Sequence, residues 1–504
     1  MEYSYIVELG QPMDRHRSLR GVRYEDVDHA YLEKRRLRRS AGWVLLWALG
    51  VGAVISGEFS GWNLGLAAGG FWGLAIATVL MAIMYVCMVF SIAELSSALP
   101  HAGGSYSFTR NAFGPLGGFL NGITDACEFV LTPAVVVYFI GGYLNSLAPL
   151  KNVPVPVWWV LFYAAFVFIN IIGVEITLRL GLFITMMAIS VLVIFYLGAL
   201  GKFDPALLTN IAPDPGQTAI LPKGTLGIFA ALPYAIWFFL GIEQLPLAAE
   251  EAHDSGRDVP KALTWGIFTL LVLAFLVLIL NSGVAPGAEG IGKSAAPLAD
   301  GFKTVFGDGL FASVLILIAL SGLIASFHTI IYGYGRVLFS LSRAGYIPRW
   351  MSLTSRYHTP ALALITGGVI GLGCAAAIQF AGKEVGAALL NMAVFAAVIS
   401  YFLNMISFIQ LRLSRPDLPR PYRSPFGIPG AAVGAILALV ALFACFADPA
   451  FRPGVWGVVL FVGVMTVYYL LYSRKRLVAQ APEEENALLA LAMGEIEQAD
   501  TLAK

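Results

Sequence analysis

Apolar residues gather into long runs separated by short polar joints, and the runs lie at roughly 42–67, 71–97, 116–147, 156–174, 180–200, 225–249, 262–282, 308–335, 360–380, 385–411, 428–447 and 454–473. Each approaches or exceeds the ~20 apolar residues that a helix needs to cross a bilayer's hydrocarbon core. Backbone groups at that depth must be satisfied within their own segment, so each run is expected to be a helix. The predicted fold class is an all-α membrane protein with twelve transmembrane helices.

Two of these runs break their own pattern. From Gly50 to Asn63 the first run carries four glycines, two serines and the carboxylate of Glu58. Glycine weakens a helix, and an acid at membrane depth costs several kcal/mol unless it is used. A second interrupted stretch, Ala235 to Gln244, contains Gly241 and Glu243. A pair of broken helices, each with a buried acid, points to a secondary transporter whose substrate sits near the membrane midplane. Ser56, Gly57 and Glu58 of the first break, with Trp237, Phe238 and Gly241 of the second, are therefore candidate substrate residues.

Composition narrows the class. Only 12% of the chain is charged and 58% is hydrophobic, where soluble domains carry about 25% charged residues. The net charge of +1 gives no reason to expect a nucleic-acid partner. Cys87, Cys127, Cys374 and Cys445 all lie in apolar runs far apart in sequence and read as small core residues. The polar start does not resemble a cleavable signal peptide. Tyr24 to Arg39 is expected as an interfacial helix, and residues 476–504 as a surface helix over Asn486 to Ile496 or a disordered tail.

With the N-terminus inside, twenty lysines and arginines flank the spans on the cytoplasmic side; seven, Lys151, Lys202, Lys223, Lys293, Lys303, Lys383 and Arg452, lie outside. This asymmetry places both termini in the cytoplasm of a bacterial-type plasma (inner) membrane. Domain limits follow: a cytoplasmic segment 1–41, a transporter domain 42–475, and a cytoplasmic tail 476–504. Within the spans no lysine or arginine remains, but Glu58, Asp125, Glu128 and Glu243 do. An interior with acids and no fixed base suits a cation. Asp125 and Glu128, three apart, share a helix face, and they join the substrate candidates. No nucleophile–base pair, metal cluster or phosphate loop is visible, so neither an enzyme nor a cofactor is expected.

Several motifs together resemble the amino acid–polyamine–organocation superfamily. They are Glu94-Leu95-Ser96-Ser97-Ala98-Leu99-Pro100-His101-Ala102-Gly103-Gly104-Ser105-Tyr106 after the second run, Phe239-Leu240-Gly241-Ile242-Glu243 with Ala249-Glu250-Glu251 and Val259-Pro260-Lys261-Ala262 around the sixth, and Arg336 with Arg343-Ala344-Gly345-Tyr346-Ile347-Pro348 after the eighth. The resemblance spans about residues 42 to 475. It implies a leucine-transporter-like fold, with inverted five-helix repeats over about 42–201 and 225–411 and two extra helices over about 428–473. It also implies that Trp237 covers the substrate, that Glu243 senses protons or gates, that Ser326 and Thr329 line a coupling-ion region for H+ or Na+, and that Glu94 and Arg336 belong to the cytoplasmic gate. His328 reads more simply as a satisfied packing residue.

Departures from the family pattern refine the substrate. Carriers of amino acids usually have Gly-Ser-Gly-Ile-Phe in the first break, whose open amides bind a carboxylate. This chain has Ile55-Ser56-Gly57-Glu58-Phe59. Glu58 would repel a carboxylate and attract an amine that lacks one. With Cys127-Glu128-Phe129-Val130-Leu131-Thr132-Pro133-Ala134, the stretch is similar to the ethanolamine permease branch. The lysine that many members place before the fifth span is replaced in Gly173-Val174-Glu175; Glu175 is then either a proton or cation ligand or an ordinary helix-end partner of Arg179. The function expected is alternating-access import of a small cationic amine, ethanolamine foremost. An amino acid or polyamine permease is the alternative within the family. An amine sensor that binds without transporting is the alternative outside it, and the short tail argues against that. The oligomeric state is left open.

Overall fold

A computed structural model describes residues 16–19, 21–145, 150, 152–294, 296–307, 309–381, 383–447, 449 and 451–490. Expectations for residues 1–15, for Lys151 and for the tail beyond 490 lie outside those residues. The described elements are β1 (His16–Leu19), β2 (Val22–Glu25), α1 (His29–Glu33), α2 (Trp43–Val54), α3 (Ser56–Phe59), α4 (Leu64–Ala98), α5 (Ser105–Asn145), α6 (Val155–Ile172), α7 (Val174–Leu200), α8 (Gly224–Ala235), α9 (Ser255–Ser282), α10 (Gly287–Lys293), α11 (Pro297–Phe306), α12 (Leu310–Arg343), α13 (Ala361–Phe380), α14 (Lys383–Ser414), α15 (Gly427–Ala447), α16 (Arg452–Leu471) and β3 (Leu477–Val478). Short 3₁₀ turns continue α8 over Ile236–Phe238 and Ile242–Glu251.

Eleven helical stretches among the described residues are long and apolar enough to cross a membrane, and Trp43–Phe59 is a shorter apolar one. The twelve-helix expectation is met, with breaks in the first and sixth. Outer helices keep apolar side chains exposed, such as Leu197 on α7 and Leu460 on α16, as a lipid-facing surface requires. Helix α2 lies inside the bundle against α7, α9 and α12, and α8 packs on α4. Helix α2 is therefore buried along most of its length.

The first span ends earlier than its hydrophobicity suggests. The chain leaves the helix at Ser60 (φ −167°) and turns at Gly61 (φ 97°). A second turn at Gly70 (φ 72°) then separates Leu64–Gly69 from the long remainder of α4. Apolarity reports depth, not direction, so it runs on through both turns.

Two expectations at the chain ends are corrected. Tyr24 to Arg39 is not one interfacial helix. Val22 and Tyr24 are buried while Arg23 is exposed, and this alternation makes β2 a strand; only the five residues of α1 are helical. Through residue 490 the tail is not a surface appendage either. β3 pairs in parallel with β2, with Tyr24 opposite Leu477 and Glu25 opposite Val478, and Glu483 and Glu484 are fully buried. A small three-stranded sheet, β1-β2-β3, thus joins both chain ends on one face of the bundle.

Candidate functional site

The two breaks meet at Gly57. A Cβ placed there would collide with the Trp237 carbonyl oxygen, so only glycine lets the two backbones approach this closely. On the sixth-helix side the chain turns through Gly241 (φ 108°) between the two 3₁₀ segments. The left-handed conformation there is the reason for a glycine. The Trp237 ring lies over Gly61, 3.3 Å from where a Cβ on that residue would sit. Phe238 instead stacks on Trp62, with ring centroids 5.4 Å apart.

A cavity of about 100 Å³ opens at this junction, lined by Ser56, Ser60, Asn63, Tyr234, Trp237 and Asn391 among others. It holds about three water volumes of ~30 Å³. It therefore suits a solute of a few heavy atoms. Among the described residues, no lysine, arginine or histidine lines it. A wider vestibule of about 480 Å³, whose wall includes Tyr138, Tyr143, Asp300 and Lys303, shares Phe139 with it. Asn63 donates to the Ile291 and Ser294 carbonyls at 2.8 and 2.9 Å, which ties the first break to the end of α10. Ser60, Asn63 and Tyr234 escaped the sequence reading, although a serine and an asparagine within an apolar run were the signal for the first two.

Glu58 is fully buried, and neither carboxylate oxygen has a hydrogen-bond partner among the described residues. Ser56 and Ser60, four apart, face the cavity; Glu58, midway between them, does not line it. Its carboxylate is instead within electrostatic reach of Tyr196 on α7. The other interior acids gather elsewhere. Glu243 accepts from the Gly241 amide at 3.1 Å and from the Tyr401 hydroxyl at 3.0 Å, and Tyr85 donates to Tyr401 at 3.0 Å. Glu128 lies beside Glu243, close enough for the two carboxyl groups to interact. Asp125, one turn away on α5, lies near Ser105, Ser400 and Glu243. The structure thus brings Asp125 and Glu128 to Glu243, not to the cavity lined by Ser56 and Trp237.

The remaining candidates fall into separate places. Ser326 donates to the Ala53 carbonyl at 2.5 Å, and the Thr329 methyl comes within 3.2 Å of a Cβ built at Gly52, so both face the end of α2. His328 is satisfied by the Thr177 carbonyl at 2.9 Å and by Asn170 at 3.3 Å. Glu175 pairs with Arg179 at 2.6 Å, and both side chains are half exposed or more. That is the ordinary helix-end partnership. Arg336 pairs with Glu251 at 2.9 Å with both side chains fully buried. Glu94 binds Arg412 and Arg420 and accepts from the Ser424 amide at 2.7 Å. Glu94 and Arg336 therefore sit on the face that carries the chain ends, in two separate ion-pair groups.

Residues 42–470 match the family model described as amino acid permease. The chain is 30% identical to an uncharacterized transporter of Rhizobium meliloti, over 84% of this chain and 90% of the relative. It is 27% identical to the branched-chain amino acid permease BcaP of Bacillus subtilis, covering 90% and 96%. It is 26% identical to the methylthioribose transporter of the same species, covering 88% and 96%.

Proposed function

Because the chain belongs to the amino acid permease family of membrane transporters, we propose that it imports a small cationic amine, ethanolamine foremost, by alternating access. It is a carrier of small molecules in a lipid bilayer, not an enzyme. The relatives do not choose the substrate, since one is named for branched-chain amino acids and another for methylthioribose.

One observation carries the amine reading. Glu58 is a buried acid on the first break whose oxygens find no hydrogen-bond partner among the described residues. Buried acids at the chain-end face, such as Glu251 and Glu94, are instead paired with arginines. Across the width of the helix, a distance of about 11 Å, the field of Glu58 favours an ammonium in the cavity and opposes a carboxylate. Two further features support this reading: no base among the described residues lines the cavity to hold a carboxylate, and the Trp237 ring offers a cation–π surface.

In this reading the chain-end face is cytoplasmic, in keeping with the charge asymmetry across a bacterial inner membrane. Glu243 and Glu128 carry H+ if protons drive the cycle. Ser326 and Thr329 mark the region for Na+ if sodium does. An amino acid or polyamine carrier is the second reading, favoured by the name of the branched-chain relative. Proteoliposomes loaded with this chain should take up labelled ethanolamine, and unlabelled ethanolamine should compete better than alanine, arginine, choline or putrescine. Uptake inhibited only by alanine or arginine would overturn the amine reading. Saturable binding without accumulation would indicate a sensor.

A further inference from the structure

The C-terminal segment is built into the chain-end face, where it meets several spans at once. After the bundle ends, the Ser473 hydroxyl donates to the Tyr346 carbonyl at 2.7 Å, and the Val478 amide donates to the Ala344 carbonyl at 3.0 Å. The strand then runs so close over the end of α12 that a Cβ at Gly345 would collide with the Arg476 carbonyl oxygen. Residues 482–490 turn back as a helix. Its first turn places two fully buried carboxylates against two arginines on different spans.

Glu484 accepts from Arg110 Nε of α5 at 2.7 Å, from the Tyr346 hydroxyl at 2.8 Å and from the Tyr106 hydroxyl at 3.2 Å. Tyr24 of β2 reaches the same carboxylate at 3.4 Å. Glu483 accepts from Arg343 Nη2 of α12 at 2.5 Å. That same guanidinium holds Glu250 on the sixth-helix 3₁₀ segment, and Glu250 in turn accepts from the Ala102 amide at 2.9 Å. Asn486 meets His101 at 2.6 Å. The tail therefore ties together α5, α12, the loop after α4 and the N-terminal strand, and through Arg343 it reaches the 3₁₀ half of the broken sixth helix.

We propose that residues 477–490 form an intramolecular bolt that holds the chain-end face closed, and that Glu483 must leave Arg343 and Glu484 must leave Arg110 for that face to open. Burying a charge is unfavourable unless it is paired, and a buried pair that loses one partner leaves the other charge uncompensated. Arg110 and the two tail carboxylates therefore lose their charged partners if the tail leaves, while Arg343 keeps Glu250. A segment held this way contributes directly to the free-energy gap between the closed and open faces. Any process that removes the tail's charges or pulls the tail away would then favour opening. The bolt rests on the carrier reading but does not depend on which substrate is carried.

The test follows amide hydrogen exchange in the full-length chain without substrate. Glu483→Gln with Glu484→Gln should raise exchange at least threefold in 242–251, which the tail reaches through Arg343, and slow exchange in α11 on the opposite face. Glu25→Gln, which removes the half-exposed pair with Arg349 on the same face, should change neither. A second variant works in the other direction and covers a failure of the first to fold. His101→Cys with Asn486→Cys, joined by a short bis-maleimide, should slow exchange in 242–251 at least threefold relative to the same chain before joining. A change confined to 477–490 in either variant would overturn the proposal, and the tail would then be passive packing.

Discussion

Glu58→Gln keeps the shape of the first break and removes its one charge. Ser56 and Ser60 line the cavity while Glu58 points from the other side of the same turn. The separation between its carboxylate and an ammonium in the cavity is therefore about the width of a helix with its side chains, ~11 Å. At an effective dielectric of ~20 the attraction is about 332/(20 × 11), or roughly 1.5 kcal/mol; direct contact at ~3.5 Å would be about three times that. The expected loss on neutralisation is about 1.5 kcal/mol, roughly tenfold in Kd. Calorimetry in detergent at fixed ionic strength should read this directly for ethanolamine. Alanine should bind no worse, because its carboxylate is no longer repelled. The melting temperature without ligand should not fall, since an unpaired buried carboxylate is being replaced by a neutral amide. An ethanolamine Kd within twofold of the unmodified chain would refute the reasoning, and the cation would then have to be sought at Glu243, Glu128 and Asp125.

The other predictions concern geometry, coupling and orientation. Gly57→Ala sets a methyl against the Trp237 carbonyl and should lower substrate affinity at least ~10-fold, an energy of about 1.4 kcal/mol or more, by forcing the two breaks apart, while size-exclusion profiles stay unchanged; normal affinity would show that the contact yields. Glu175→Gln should leave uptake intact and shift stability by no more than ~0.5 kcal/mol, as for an exposed helix pair. Glu243→Gln should abolish the response of uptake to an imposed pH gradient, and an undiminished response would remove Glu243 from the coupling step. Cysteines placed in 283–294 should label from outside intact cells and cysteines in 415–424 only from inside; the reverse pattern would invert the topology.

Much of the fold is legible in the chain itself. Long apolar runs specify transmembrane helices because lipid offers the backbone no other hydrogen-bond partner. The glycines and acids inside the first and sixth runs mark the two breaks, because both residue types are unfavourable in a membrane helix and need a local reason. What the sequence could not provide was the relation between distant segments. Gly57 and Trp237 lie far apart along the chain, and only packing shows that their backbones touch. Glu58 and Glu128 look alike as buried acids, yet packing turns one toward α7 and sets the other beside Glu243. The tail was the least legible part. Pro482-Glu483-Glu484 has the composition of a solvated surface segment, and its burial depends on Arg110 and Arg343, both far away in sequence. Charge along a chain is local information; the partner that makes a buried charge tolerable is supplied only by the tertiary structure.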